Sequence, residues 1–294
     1  MIFFILTLLI FASLEVVSKP LMPYIDPFAL TFWRFSMGFV FFLFYPGMKK
    51  RFAEIAKFSK SDWFFLFLLG FLNAFLAMSL LQFAVRESTP ATAAAIFCSN
   101  PLFVMIISSI AGFEKISARK VIGLLIGVSA IFVIMWEKGF KLNYGAIYAV
   151  SAAVIFAGFT VLSKKTVSKI KPFSVNLVSF FFGIVSLSIF MALTGKSFAL
   201  DPVFFKDYAK LIAFIYLGFI VTGLGYVTFL ATIKKYSPVS SSLIFMLKPA
   251  VATVFAVIFL HEKLSTYFIA GFVMLLLGTG AIVSEKLKIG KKLF

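Results

Sequence analysis

Ten apolar runs follow one another along this chain of 294 residues, with only short links between them. They fall at about 2–18, 28–46, 63–85, 90–112, 119–136, 145–162, 173–193, 209–231, 238–260 and 266–284. Each approaches the roughly 20 residues that an α-helix needs to cross the hydrocarbon of a bilayer. Barrel strands do not fit, because they alternate apolar and polar residues over about ten positions. The links carry helix breakers: Lys19-Pro20, Pro27, Pro46-Gly47, Pro90, Gly139, Pro172, Pro202 and Pro238. The first run lacks a basic leader and a small-residue cleavage site, so it reads as a span and not as a cleaved signal. The expectation is an all-α integral membrane protein with ten transmembrane helices.

Composition agrees. Hydrophobic residues make up 62% of the chain and charged residues 13%, against about 45–50% and 25% in soluble domains. A water-soluble enzyme, a disulfide scaffold, a nucleic-acid-binding domain and a disordered tail are all excluded on that ground. The net charge of +17 lies between apolar runs, where it meets lipid headgroups instead of nucleic acid. Ten spans put both termini on one side. The links after the second, fourth, sixth and eighth runs, with the C-terminal tail, hold eighteen Lys and Arg residues; the other links hold eight. Basic loops stay in the cytoplasm, so both termini are expected there, with the chain in the inner (cytoplasmic) membrane.

The chain is also duplicated. Shifted by 148 residues, 90–123 aligns on 238–271 without a gap, pairing Pro90 with Pro238, Pro101 with Pro249, Glu114-Lys115 with Glu262-Lys263, Ser117 with Ser265 and Gly123 with Gly271. The same shift pairs Leu69-Gly70-Phe71 with Leu217-Gly218-Phe219. A shift of 145 pairs Phe11-Ala12 with Phe156-Ala157, Ser18-Lys19 with Ser163-Lys164 and Pro27-Phe28 with Pro172-Phe173. The units are 1–143 and 144–294. Five spans per unit force the second to enter the membrane upside down, and homologous links carry opposite charge bias: 19–27 has one basic residue, 164–172 has four. Two inverted halves around a midplane site are the architecture of a secondary transporter.

These marks, in order, resemble the EamA-type families of the drug/metabolite transporter superfamily over nearly the whole chain. The resemblance rests on Ser18-Lys19, Asp26-Pro27 with Arg34, Asn100-Pro101, and the Glu114-Lys115 and Glu262-Lys263 links. Where many relatives carry Trp-Gly early in the first helix, this chain has Ala12-Ser13. The resemblance implies two inverted five-helix repeats and export of small metabolites such as amino acids. It also implies a cavity lined mainly by the first, third, fourth, sixth, eighth and ninth helices.

Ionisable groups inside a bilayer are costly and mark function. Lys248 falls near the middle of the ninth run, and its repeat mate is Asn100 in the fourth. Both precede a proline, so Pro101 cannot bond the carbonyl of Phe97, nor Pro249 that of Phe245; each helix is expected to kink and free an acceptor. One reading makes this a substrate site, where Lys248 meets a carboxylate while Asn100 and the freed carbonyls meet an amine or hydroxyl. The other makes Lys248 a helix-pairing partner of Glu15, the only acid well inside a run. Glu15 could also carry a coupling proton or meet a substrate amine, or pair with Lys19 one turn on. Arg34, within two turns of the end of its run, can snorkel, and the resemblance puts its helix at the periphery, so a structural role is expected. Asn73, Gln82, Thr160 and Tyr226 are polar positions on lining helices, where a plain helix-helix hydrogen bond competes with a substrate contact.

Other marks read as structural. Gly123-x-x-x-Gly127 suits packing within one chain over a dimer face. Ser117 and Ser265 suit N-caps. Cys98 suits packing, and His261 has no second histidine with which to hold a metal. No phosphate loop, nucleophile elbow or acidic metal cluster is present, so neither a cofactor nor catalysis is expected. The expected partners are a small-molecule substrate and the lipid bilayer, with proton coupling through Glu15 open, no nucleic acid, and a monomeric chain. A multidrug or organic-cation pump, built on aromatics and an acid, is the alternative; an intramembrane enzyme ranks behind it.

Overall fold

Proline and short polar residues set where the helices start. In a computed structural model, which describes residues 2–44, 48–113, 117–136, 144–201, 206–236, 238–242, 244–261 and 264–290, every long element is helical. Asp26 accepts from the Phe28 amide just ahead of Pro27. Ser59 and Asp62 form a reciprocal capping box, and Thr89 caps the helix opened by Pro90. Ser265 accepts from the Phe268 amide at 3.0 Å, the N-cap its position suggests. Asp207 accepts from the Ala209 and Lys210 amides, and the Lys210 ammonium holds its carboxyl below the ordinary carboxylate range. Each device satisfies amides that an isolated helix start leaves bare.

The helices in chain order are α1 (Ile2–Leu21), α2 (Pro27–Leu43), α3 (Met48–Ile55), α4 (Lys60–Glu87), α5 (Thr92–Ile110), α6 (Ala118–Trp136), α7 (Tyr144–Lys169), α8 (Pro172–Leu193), α9 (Tyr208–Lys235), α10 (Pro238–Ser242), α11 (Ile244–Leu260) and α12 (Thr266–Gly290). Among the described residues six of them, α1, α4, α5, α7, α8 and α9, are long and apolar enough to cross a bilayer, while α2 is apolar but shorter. No strand occurs among the described residues.

The duplication is visible in three dimensions. Lys19 Nζ donates to the carbonyls of Val85, Arg86 and Ser88 at 2.8, 3.1 and 2.7 Å. Its repeat mate Lys164 donates to those of Ile233, Lys234 and Tyr236 at 3.0, 3.2 and 2.7 Å. All three acceptors are related by the 148-residue shift, so one device closes the C-terminal end of α4 and of α9. Both of those helices also carry a π-helical stretch, Phe71–Ala77 and Leu217–Leu224, at matching repeat positions.

Loops gather at two ends. Glu54 pairs with Lys171 at 3.5 Å, and Lys57 and Lys169 line one surface cleft. At the other end Asp26 lies 3.6 Å from Arg86, and Trp33 Nε1 donates to the Phe198 carbonyl at 2.9 Å. Two of the more basic links, 47–62 and 163–172, thus meet each other. Gly139, Pro202 and both Glu-Lys pairs lie outside the described residues.

The two repeat-mate prolines sit in different local surroundings. α5 is interrupted at Cys98 and Ser99, directly before Asn100-Pro101. In the second half Pro249 sits inside the described helix Ile244–Leu260. Gly123 and Gly127 pack within the chain: a Cβ on Gly278 of α12 would meet the Gly123 carbonyl at 2.7 Å and the Gly127 nitrogen at 2.8 Å.

Candidate functional site

Between the two repeats lies a small void of about 10 Å³, lined by Phe11, Leu14, Arg34, Met78, Phe97, Phe156, Val221, Tyr226, Phe245 and Lys248. That is room for about one water. Its walls are built from repeat mates. Phe97 meets Phe245 edge-to-face at 5.8 Å. Phe11 meets Phe245 at 6.2 Å, and the mate of that pair, Phe156 with Phe97, stands at 5.4 Å. Two aromatic residues from each half therefore close the centre.

The polar groups around it bridge the halves. Lys248 Nζ, on α11, donates to Glu15 Oε1 of α1 at 2.5 Å, and the two side chains are 1% and 0% exposed. The ammonium also stands 5.1 Å from the centre of the Phe97 ring, a favourable place for a desolvated cation. Tyr226 of α9 donates to Asn73 Oδ1 of α4 at 2.9 Å. Arg34 of α2 donates from Nε to Thr222 Oγ1 of α9 at 3.0 Å, and the Thr222 hydroxyl donates in turn to the Leu217 carbonyl inside the π-helical stretch.

Several expected site residues are thus brought together. Lys248, Phe97, Phe245 and Tyr226 line the void, while Glu15 and Asn73 hold Lys248 and Tyr226 from behind. Three others are elsewhere. Asn100 does not face Lys248; its Nδ2 donates to the Ala153 carbonyl at 2.8 Å and ties α5 to α7. Thr160 donates to the Phe156 carbonyl one turn back in its own helix, and Gln82 is buried away from the void with neither amide atom partnered among the described residues. Glu15 does not pair with Lys19, whose ammonium is engaged by the α4 carbonyls.

Arg34 departs most from expectation. It is fully buried, because α2 packs against the π-helical stretch of α9 and Thr222 turns its side chain inward. Nη1 and Nη2 meet no acceptor among the described residues. Sequence reasoning missed it by placing α2 at the periphery; the available signal was that no other arginine falls well inside a run. Phe11 and Phe156 were also missed, although their correspondence under the 145-residue shift marked them.

A second cleft, of about 600 Å³, opens at the Lys19 end between α1, α9 and α11. Ser13, Tyr216 and Phe255 are on its wall, and the Ser13 and Tyr216 hydroxyls lie 2.9 Å apart.

Comparison with known proteins places this arrangement. The EamA-like transporter family matches the chain twice, over residues 1–136 and 143–284. A protein of Clostridium kluyveri named as an uncharacterized transporter is 32% identical over 289 residues, covering 95% of this chain and 91% of its own. The uncharacterized transporter YyaM of Bacillus subtilis is 23% identical, covering 89% of this chain and 86% of its own. One crystal structure has the same fold, with a TM-score of 0.69 at 17% identity over 97% of each chain.

Proposed function

The chain belongs to the EamA-like transporter family, and on that premise we propose that it is a secondary, ATP-independent transporter that exports small metabolites such as amino acids. In this reading the chain crosses the inner membrane ten times in two inverted units, 1–143 and 144–294. Both termini are cytoplasmic and the protein works as a monomer in the bilayer. The observation that carries the reading is the set of buried charges at the repeat interface: Lys248 with Glu15, and Arg34 beside them, around a void walled by repeat-mate phenylalanines. A charged cluster at the midplane between two similar halves is where a substrate is held while each side opens in turn. The void is too small for any metabolite, which fits an occluded stage of such a cycle.

Substrate binding in this reading involves Lys248, Tyr226, Phe97 and Phe245 at the void. Glu15 holds or releases Lys248 and can carry a coupling proton when it does. The organic-cation alternative is disfavoured by charge, because two cations and one carboxylate surround the cavity. Counterflow tests the proposal: purified protein in liposomes loaded with one unlabelled metabolite should accumulate its labelled form, and a panel of amino acids and small organic acids finds which. Absence of counterflow across the whole panel, with folded protein in the liposomes, would reject it.

A further inference from the structure

Arg34 presents a charge problem that the Lys248–Glu15 pair does not solve. Both cations line the void. Glu15 gives its Oε1 to Lys248 at 2.5 Å, while its Oε2 is buried without a partner among the described residues, and no other Asp or Glu occurs well inside an apolar run. The constellation therefore carries one positive charge with no counter-charge of its own, in a place where an isolated ion is strongly disfavoured. The guanidinium is also aimed. Nε is fixed by Thr222 at 3.0 Å, and Thr222 is fixed by the Leu217 carbonyl at 2.8 Å in the π-helical stretch. That leaves Nη1 and Nη2, fully buried and without acceptors among the described residues, as an open fork of the kind that takes a carboxylate in two parallel hydrogen bonds.

We infer that Arg34 is the anchor for the substrate's carboxylate, and that the cavity accepts small monocarboxylates with an apolar or aromatic body. The inference rests on the transport reading and moves its substrate class from amino acids to monocarboxylates. A monoanion brings the constellation to neutrality, whereas a zwitterion leaves the surplus charge in place and a cation adds to it. Phe11, Phe97, Phe156 and Phe245 supply the apolar wall. Thr222 is a positioning residue that acts through Arg34.

Three probes with one body separate the charges: 3-phenylpropionate (anion), phenylalanine (zwitterion) and phenethylamine (cation). Binding to the full chain in lipid nanodiscs, followed by calorimetry, should be at least ten-fold tighter for the anion than for the amine, with phenylalanine between. Arg34→Gln should weaken the anion ten-fold or more while its melting temperature stays level or rises, since it removes an uncompensated buried charge. Arg34→Lys keeps the charge and loses the fork, so it should retain part of the affinity. Thr222→Val should weaken the anion and leave the order of the three probes unchanged. Equal binding of acid and amine, no binding of the acid, or anion affinity unchanged in both Arg34 variants would overturn the assignment. Anion binding that depends on Arg34 without counterflow would sink the transport reading alone. Anion counterflow indifferent to Arg34→Gln would sink the anchor alone.

Discussion

Glu15 and Lys248 hold each other across the two repeats with both side chains out of reach of lipid and water. Breaking such a pair from one side leaves a bare charge and costs about 3–5 kcal/mol, whereas removing both partners together costs far less. Lys248→Met should therefore lower the melting temperature in detergent sharply, Glu15→Gln should do so too, and the double change should recover most of the loss. Singles and double that lose stability additively would show that the pair does not hold the halves together. The cost of buried charge made Lys248 and Glu15 conspicuous in the sequence, and the pairing was one of the two arrangements that followed. Arg34 escaped, because a long flexible side chain near a helix end is compatible with either snorkelling or burial. Only the packing of α2 against α9 decides between them.

At the scale of elements, close helix approach and the paired lysine clamps carry the fold. A Cβ on Gly70 of α4 would stand 2.0 Å from the Ser179 carbonyl of α8. Gly70→Ala must therefore push two backbones apart, at a cost of about 1–3 kcal/mol; a melting temperature equal to wild type would mean the helices are not so close. Lys164 closes α9 by donating to three carbonyls, so Lys164→Met should lower stability by about 1–2 kcal/mol while leaving the chain folded. Ser18-Lys19 and Ser163-Lys164 were legible as repeat marks, but their task was not. A lysine that donates to carbonyls about 70 positions along the chain leaves no local pattern. The π-helical stretches were equally hidden, since they depend on how α4 and α9 pack and not on a composition that differs from ordinary helix.

At the scale of the whole molecule, the repeat shifts were readable as matched residues at a fixed spacing, and the charge bias of the links because the bilayer sorts basic loops. Among the described residues the structure brings the 47–62 link to the 163–172 link, and the 19–27 link to the 86–89 link. Single cysteines at Lys57 and Lys169, in a Cys98→Ala background, should react with impermeant thiol reagents only from the cytoplasmic side, and one at Phe198 only from outside. Reaction of Lys57 and Lys169 from opposite faces would contradict ten spans in inverted halves. The central claim is that the occluded void between the repeats opens to each side in turn. Met78 lines that void and is 2% exposed, so a Met78→Cys, Cys98→Ala protein in sealed proteoliposomes tests the claim most directly. Impermeant reagent should label it slowly when added from outside and also when trapped inside, and a transported substrate should change both rates. Labelling from one face alone, whatever the substrate, would contradict alternating access.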